Sequence, residues 1–155
     1  PEQENFGFQQ ATAFDAESII YVENQLVVFT KNRSTLTTEL YVVSKATEAA
    51  KKIGSLPVGA LITGADYQQE SKMLALTGYN KNKKQYVYIM HDFSLSTIAD
   101  VHIKQYELDF MGAQIEAIAI IDLNTFWITS EETRKYNAFL AKISIKWVLL
   151  TLPLI

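Results

Sequence analysis

The sequence repeats one β-strand pattern three times, at a spacing of about fifty residues. Each copy opens with a short apolar strand, a polar turn and a second strand that ends in threonine: Asp15–Thr30, Gly64–Thr77 and Gln114–Thr129. A third strand, rich in aromatic and β-branched residues, follows each hairpin: Glu39–Val43, Tyr86–Met90 and Ala138–Ile143. Fourth strands are predicted at Ala50–Leu56 and Val101–Leu108. Since such residues suit a pleated, half-buried surface, the repeat predicts an all-β fold.

A repeat of four short antiparallel strands with this period is typical of the blade of a β-propeller. One blade cannot bury both faces of its sheet, so neighbouring blades must stack on each other. We therefore predict a single β-propeller-like domain over residues 1–155, with repeat units at 11–58, 59–110 and 111–155.

Three repeats are too few for a closed ring, because propellers have about four to eight blades. Three alternatives follow. The chain belongs to a longer one whose N-terminal blades precede it, or it closes by association into an oligomer, or it forms an open stack of three sheets. Two further strands are predicted near the ends, a lone strand at Asn5–Gln10 and a fourth strand of the last unit at Trp147–Leu152.

The composition excludes several classes of site. With no cysteine among 155 residues, disulfides, thiolate zinc sites and cysteine nucleophiles are excluded. A net charge of −3 gives no electrostatic footprint for nucleic acid. The apolar segment Trp147–Ile155 contains Pro153 and is shorter than the roughly 20 residues of a membrane helix, so no membrane span is predicted.

Three acidic residues, Glu17, Asp66 and Glu116, fall at matching places in the three copies. In a propeller the first strand of each blade lines the central channel, which would bring equivalent side chains together. Convergent carboxylates could hold a hard cation such as Ca²⁺, or raise one another's pKa and serve acid–base chemistry. The alternative is that they bind solvent or the backbone N–H groups of the adjacent blade. Asp15 and Glu131 are weaker candidates for the same channel.

The other polar residues indicate structural roles. The two histidines, His91 and His102, do not stand at a metal-binding spacing. Lys81, Lys83 and Lys84 lie in a polar stretch between two apolar segments, which predicts a solvated loop tip rather than a phosphate site. The aromatic residues on strands are expected to fill the core between blades: Tyr21, Phe29, Tyr41, Tyr86, Tyr88, Phe126, Trp127 and Phe139.

Four segments, in this order and spacing, resemble the second half of a propeller-like domain of secreted bacterial proteins: Asp15–Glu17, Leu61–Asp66, Ala75–Asn80 and Ile115–Ile118. Those proteins often carry a separate C-terminal sorting domain and are distantly similar to SdiA-regulated and phytase-like propellers. The resemblance covers residues 5–145 and implies an extracytoplasmic propeller of about six blades, whose first blades precede this segment. After Ile145 the sequence departs from the family's usual closing strand.

These patterns lead us to expect a non-catalytic binding or scaffold domain of a secreted or cell-surface bacterial protein, whose partner is a protein, a glycan or another small molecule. The alternative is a calcium-dependent hydrolase of phytase-like or esterase-like type, acting at the propeller channel. The two differ in whether Glu17, Asp66 and Glu116 converge on a cation. The sequence assigns no catalytic residue.

Overall fold

The computed structural model describes residues 12–47 and 49–146. Within these ranges the chain forms strands, turns and loops, without a helix, so no helix there could cross a membrane. Sheet 1 contains β1 (Asp15–Val22), β2 (Gln25–Lys31), β3 (Thr38–Val43) and β4 (Ala50–Leu56). Sheet 2 contains β5 (Leu61–Gln68), β6 (Met73–Tyr79), β7 (Gln85–Met90) and β8 (Lys104–Leu108). Sheet 3 contains β9 (Gln114–Asp122), β10 (Thr125–Glu131) and β11 (Phe139–Ser144).

The all-β prediction is confirmed, with three antiparallel sheets of 4, 4 and 3 strands whose neighbours follow chain order. β4 has the predicted bounds, whereas β8 begins later than predicted, because Val101 and Ile103 pack against the core from the preceding connection. The predicted strands at Asn5–Gln10 and Trp147–Leu152 lie outside the described residues.

Local turn chemistry explains why the strands pair in sequence order. Between β1 and β2, Glu23 and Asn24 have φ angles of 48° and 62°. Two consecutive residues with positive φ make the tight turn whose twist matches a two-stranded ribbon, and asparagine tolerates that conformation well. In the β9–β10 turn, the side chain of Asp122 accepts a hydrogen bond from the Asn124 N–H at 2.8 Å. Each turn therefore fixes its hairpin with few residues.

The three sheets stack through two apolar cores, with sheet 2 in the middle. The first core joins sheets 1 and 2 and includes Val27, Phe29 and Leu76. The second joins sheets 2 and 3 and includes Ile89 and Phe126. Alternate residues of β6 and β7 enter opposite cores, which is why both strands are buried almost throughout. Burying each large apolar side chain stabilises the fold by about 1.5–3 kcal/mol, so the sheets depend on each other.

The first strands of the three sheets lie side by side, since β5 contacts both β1 and β9. Gly64 of β5 permits a close approach to β9. A Cβ atom at this position would lie 3.0 Å from the Ala117 Cα and 3.0 Å from the Glu116 carbonyl oxygen. The backbone of β5 therefore rests directly on that of β9.

Candidate functional site

One end of the stack carries most of the predicted site residues. The first strand of each sheet begins at this end and the second strand finishes there, because each pair is an antiparallel hairpin. Four of the candidate carboxylates lie here: Asp15, Glu17, Glu116 and Glu131. We call it the charged end.

A β-bulge in each first strand decides which side chains are equivalent. The pairing with the second strand skips one residue near the start of each first strand: Glu17 in β1, Thr63 in β5 and Glu116 in β9. β9 has a second skip near its end, at Ile121. The sequence pattern had matched Asp66 with Glu17 and Glu116, and the register corrects this alignment. Asp66 lies farther along β5, opposite Ala75. Asp66 therefore does not occupy the place in its sheet that the other two carboxylates occupy in theirs.

Glu17 forms a largely buried ion pair with Lys31. Glu17 Oε1 lies 2.8 Å from Lys31 Nζ, and Lys31 is only 5% exposed. Burial raises the pKa of the Glu17 carboxyl, and the hydrogen bond from Lys31 opposes that rise without cancelling it. Lys31 Nζ also lies 5.8 Å from the centre of the Tyr79 ring, so the pair reaches from sheet 1 to sheet 2.

A second ion pair flanks the first, with Arg33 Nη2 at 2.7 Å from Asp15 Oδ2. Partial burial lowers the pKa of Arg33, but the hydrogen bond and charge of Asp15 outweigh that effect and raise it. Both carboxylates of β1 are therefore paired with a cation, Glu17 with Lys31 of β2 and Asp15 with Arg33 of the β2–β3 loop.

Asp66 serves the contact between sheets 2 and 3. Its Oδ2 accepts a hydrogen bond from the Ile120 N–H at 2.7 Å, and its Oδ1 accepts one from the Tyr67 N–H at 2.9 Å. Nearby, the buried Thr63 hydroxyl donates to the Ile115 carbonyl at 2.5 Å. Asp66 thus makes the contact named above as the alternative to a cation, with a backbone N–H of the neighbouring sheet.

Glu116 and Glu131 both accept a hydrogen bond from the side-chain amide of Gln114. Gln114 Nε2 lies 3.4 Å from Glu116 Oε1 and 3.4 Å from Glu131 Oε2. These are long hydrogen bonds on an exposed surface, so they add little to stability. They do keep the two carboxylates of sheet 3 on the same side of the charged end.

A calcium site at Glu17, Asp66 and Glu116 stays a prediction. Each of the three carboxylates has a different protein partner: an ammonium group, backbone N–H groups and a side-chain amide. Across residues 12–47 and 49–146, no three His, Cys, Asp or Glu side chains lie close enough together to hold a metal ion.

The histidines lie away from the charged end. His91 directly follows β7, where burial lowers its pKa and the nearby Lys104 lowers it further. His102 is exposed, in the connection that precedes β8.

A cleft of about 540 Å³ opens between sheets 2 and 3, next to the charged end. Three cationic residues line it: Lys83 from the β6–β7 loop and Arg134 and Lys135 from the β10–β11 loop. The rest of the lining is uncharged: Tyr79, Gln85, Gly112, Ala113, Gln114 and Thr133. The cleft therefore offers positive charge, amides and one aromatic ring to a ligand.

Hydrogen bonds around the cleft fix the relative positions of the loops that line it. The Gly112 N–H donates to the Lys83 carbonyl at 3.1 Å, and Lys135 Nζ donates to the Met111 carbonyl at 3.0 Å. Buried Gln85 donates through Nε2 to the Ala113 carbonyl at 2.7 Å, which fixes the orientation of its amide. The Gln85 Oε1 atom has no hydrogen-bond partner among the described residues. Such an unpaired acceptor is costly, and it marks the cleft wall as polar where a core would be apolar.

Sequence reasoning missed this cleft. Of the basic run between β6 and β7, Lys84 pairs with Glu107 at 2.9 Å, as a solvated loop residue can, whereas Lys83 lines the cleft. Arg134 and Lys135, the other two cations of the cleft, lie some fifty positions further along the chain, and no spacing rule connects them with Lys83. A signal was present in Gln85, a glutamine at the start of a strand that is otherwise apolar and aromatic.

Comparisons with known proteins do not assign the chain to a family. No protein-family model matches it, and no curated protein matches it either. Its function therefore has to be inferred from the geometry of the stack and the cleft.

Proposed function

We propose that this chain is a non-catalytic binding domain, in which a rigid stack of propeller-like blades presents the cleft between sheets 2 and 3 to an acidic ligand. The arrangement of first strands supports the propeller hypothesis, since β5 lies between β1 and β9 as inner strands do around a propeller axis. The resemblance to secreted bacterial proteins supports an extracytoplasmic location at a bacterial surface.

The observation that carries the proposal is the contrast between the candidate carboxylates and the cations that line the cleft. The carboxylates Asp15, Glu17 and Asp66 are engaged by groups of the protein itself. The cleft between sheets 2 and 3 is instead lined by three cations, Lys83, Arg134 and Lys135, all of which are exposed. A hydrolase that used calcium would need free carboxylates to converge, whereas a binding domain needs a preformed surface with complementary charge.

An acidic oligosaccharide fits this lining best. Carboxylate groups pair with guanidinium and ammonium groups, and Arg134 can take a carboxylate through two parallel hydrogen bonds. The ring of Tyr79 and the amides of Gln85 and Gln114 are the groups that commonly contact sugar rings and hydroxyls.

Isothermal titration calorimetry with a tetrasaccharide of galacturonic acid at low salt tests the proposal, with the neutral tetrasaccharide of galactose as control. We expect binding of the acidic sugar alone, weakened about tenfold by Arg134→Ala, because one charge-assisted contact is worth roughly 1.4 kcal/mol or more. Lys51→Ala, which removes an exposed cation of β4, should leave the affinity unchanged. Equal heats for both sugars, or equal effects of the two variants, would contradict the proposal.

Calcium titration followed by thermal melting separates the binding domain from the hydrolase. A rise in melting temperature with calcium that disappears in Glu116→Gln would favour the hydrolase and count against a purely binding role. The matched control is Glu132→Gln, an exposed carboxylate of the β10–β11 loop.

A further inference from the structure

The three sheets pack in one direction, head to tail. Each sheet has a leading face, which it turns toward the next sheet in chain order, and a trailing face, which it turns toward the preceding one. Val27 of sheet 1 and Ala75 of sheet 2 are on leading faces, and Leu76 of sheet 2 and Ile128 of sheet 3 are on trailing faces. Two faces remain without a neighbouring sheet among the described residues: the trailing face of sheet 1 and the leading face of sheet 3.

The leading face of sheet 3 is built like the two leading faces that are covered. Trp127 occupies the place in sheet 3 that Val27 occupies in sheet 1 and Ala75 in sheet 2. In each sheet the residue pairs with the third residue after the bulge of the first strand, which is Ala119, Ile20 or Asp66 respectively. Val27 and Ala75 are fully buried by the next sheet, whereas Trp127 is 40% exposed. A tryptophan therefore stands uncovered where the other two sheets bury an apolar residue.

A small residue follows the bulge in all three sheets: Ser18, Gly64 and Ala117. At Gly64 this smallness lets the next first strand, β9, lie directly against β5. Ala117 is small enough to let another strand lie close against β9 in the same way, although no strand among the described residues covers it. Around it, Ala119, Trp127 and Leu140 line a shallow uncharged depression of about 310 Å³.

The trailing face of sheet 1 has the complementary character. Ile19 is 55% exposed and Tyr21 is 48% exposed. By register, Ile19 corresponds to Ile118 of sheet 3, which is 6% exposed because it packs on sheet 2. The trailing faces of sheets 2 and 3 are each covered by the leading face of the preceding sheet, whereas the trailing face of sheet 1 is exposed.

We propose that the leading face of sheet 3 and the trailing face of sheet 1 are the two halves of one interface, and that a second copy of this chain occupies each. The geometry points to a second copy because it carries both a free leading face and a free trailing face. These would pack on each other as leading and trailing faces already do at the two sheet contacts within the chain. Two such contacts would join two copies into a ring of six sheets, within the range of about four to eight that closed propellers contain. The pairing does not depend on the ligand of the cleft.

Sedimentation velocity and light scattering over a range of concentrations test the pairing. We expect a particle of twice the 17.5 kDa chain mass. Trp127→Glu on the leading face and Ile19→Glu on the trailing face should each reduce the mass to that of one chain. Met111→Glu, which alters an exposed apolar residue in the β8–β9 connection, should leave the double mass unchanged. Far-ultraviolet circular dichroism checks that every variant is folded.

A mixture of the two single variants distinguishes head-to-tail pairing from symmetric pairing. Trp127→Glu retains an intact trailing face and Ile19→Glu an intact leading face, so the mixture should recover a two-chain particle through one interface. If the wild-type chain has the mass of one copy at every concentration, the proposal is overturned. It is equally overturned if only one variant lowers the mass, since a two-fold contact of like faces would then explain the dimer. A mass that keeps rising with concentration would exclude the closed ring.

Discussion

At the scale of single residues, three acidic side chains that look alike in the sequence have three different roles. Glu17 pairs with a buried lysine, Asp66 accepts backbone hydrogen bonds from two strands, and Glu116 lies on an exposed surface beside Gln114. The difference comes from the register, because the bulge near the start of each first strand changes which side chains face the neighbouring sheet.

Asp66→Ala should lower the free energy of unfolding by about 1–3 kcal/mol, because it leaves the Ile120 N–H without its acceptor. Asp66→Asn keeps one acceptor oxygen and should cost less. Urea unfolding measures both values. Asp109→Ala, at an exposed position in the β8–β9 connection, is the control and should change stability little. Equal losses at positions 66 and 109 would mean that the Asp66 contact does not contribute.

Lys31→Met should destabilise the protein in a pH-dependent way. Burial already raises the pKa of Glu17, so the folded state holds its proton more tightly than the unfolded state, and stability falls as pH rises above about 4.5. Without Lys31 the buried carboxylate loses its counter-ion, and we expect a loss of about 1–3 kcal/mol at pH 7 that is much smaller at pH 4.

The double variant Glu17→Gln with Lys31→Met removes the charge as well as its partner and should regain most of that stability at pH 7. Thermal and urea unfolding at both pH values provide the measurement. A loss that is the same at pH 4 and pH 7 would assign the effect of Lys31→Met to lost packing and not to Glu17.

At the scale of elements, close contacts between first strands and one long connection hold the sheets in place. The β7–β8 connection, residues 91–103, covers the core between sheets 1 and 2 with Phe93 and Ile98. Gly54 of β4 makes room for it, since a Cβ atom there would lie 2.7 Å from Ile98 Cγ2. The missing side chains of Gly54 and Gly64 therefore let separate elements approach each other.

Gly64→Ala should lower the free energy of unfolding by about 1–3 kcal/mol, the usual cost of overpacking a tight contact. The added methyl group would meet the backbone of β9, which cannot move aside as a flexible side chain can. Urea unfolding measures the loss. Ser55→Ala, at an exposed position of β4, is the control. A stabilised Gly64→Ala variant would mean that β5 and β9 do not approach as closely as described.

At the scale of the whole molecule, sheet 2 is the centre of stability, because both of its faces are buried and it belongs to both cores. Sheets 1 and 3 each have one face without a neighbouring sheet among the described residues. In a stack where each unit contacts only its neighbours, the middle unit gains two interfaces and the outer units one.

Amide hydrogen exchange should therefore be slowest in β6 and β7 and faster in β3 and β11, since outer sheets can open while the middle sheet stays closed. Mass spectrometry of peptides from each strand gives the measurement, under conditions where the chain is a single copy, such as the Trp127→Glu variant. Uniform protection across all three sheets would mean that the stack opens only as a whole.

The sequence by itself determined the all-β fold class and, within the described residues, most of the strands and their hairpin pairing. Alternation along a strand and the chemistry of a short turn, as at Glu23 and Asn24, are local properties that neighbouring residues set. The tertiary structure decided which repeat positions are equivalent, which carboxylates are paired, and that Lys83 and Arg134 line one cleft. It also decided that Trp127 and Tyr21, expected in the core, are exposed. The cleft depends on a contact between sheets that joins residues about fifty positions apart, and the pairing of the carboxylates depends on strand register and bulges. Neither leaves a periodic signal in the sequence.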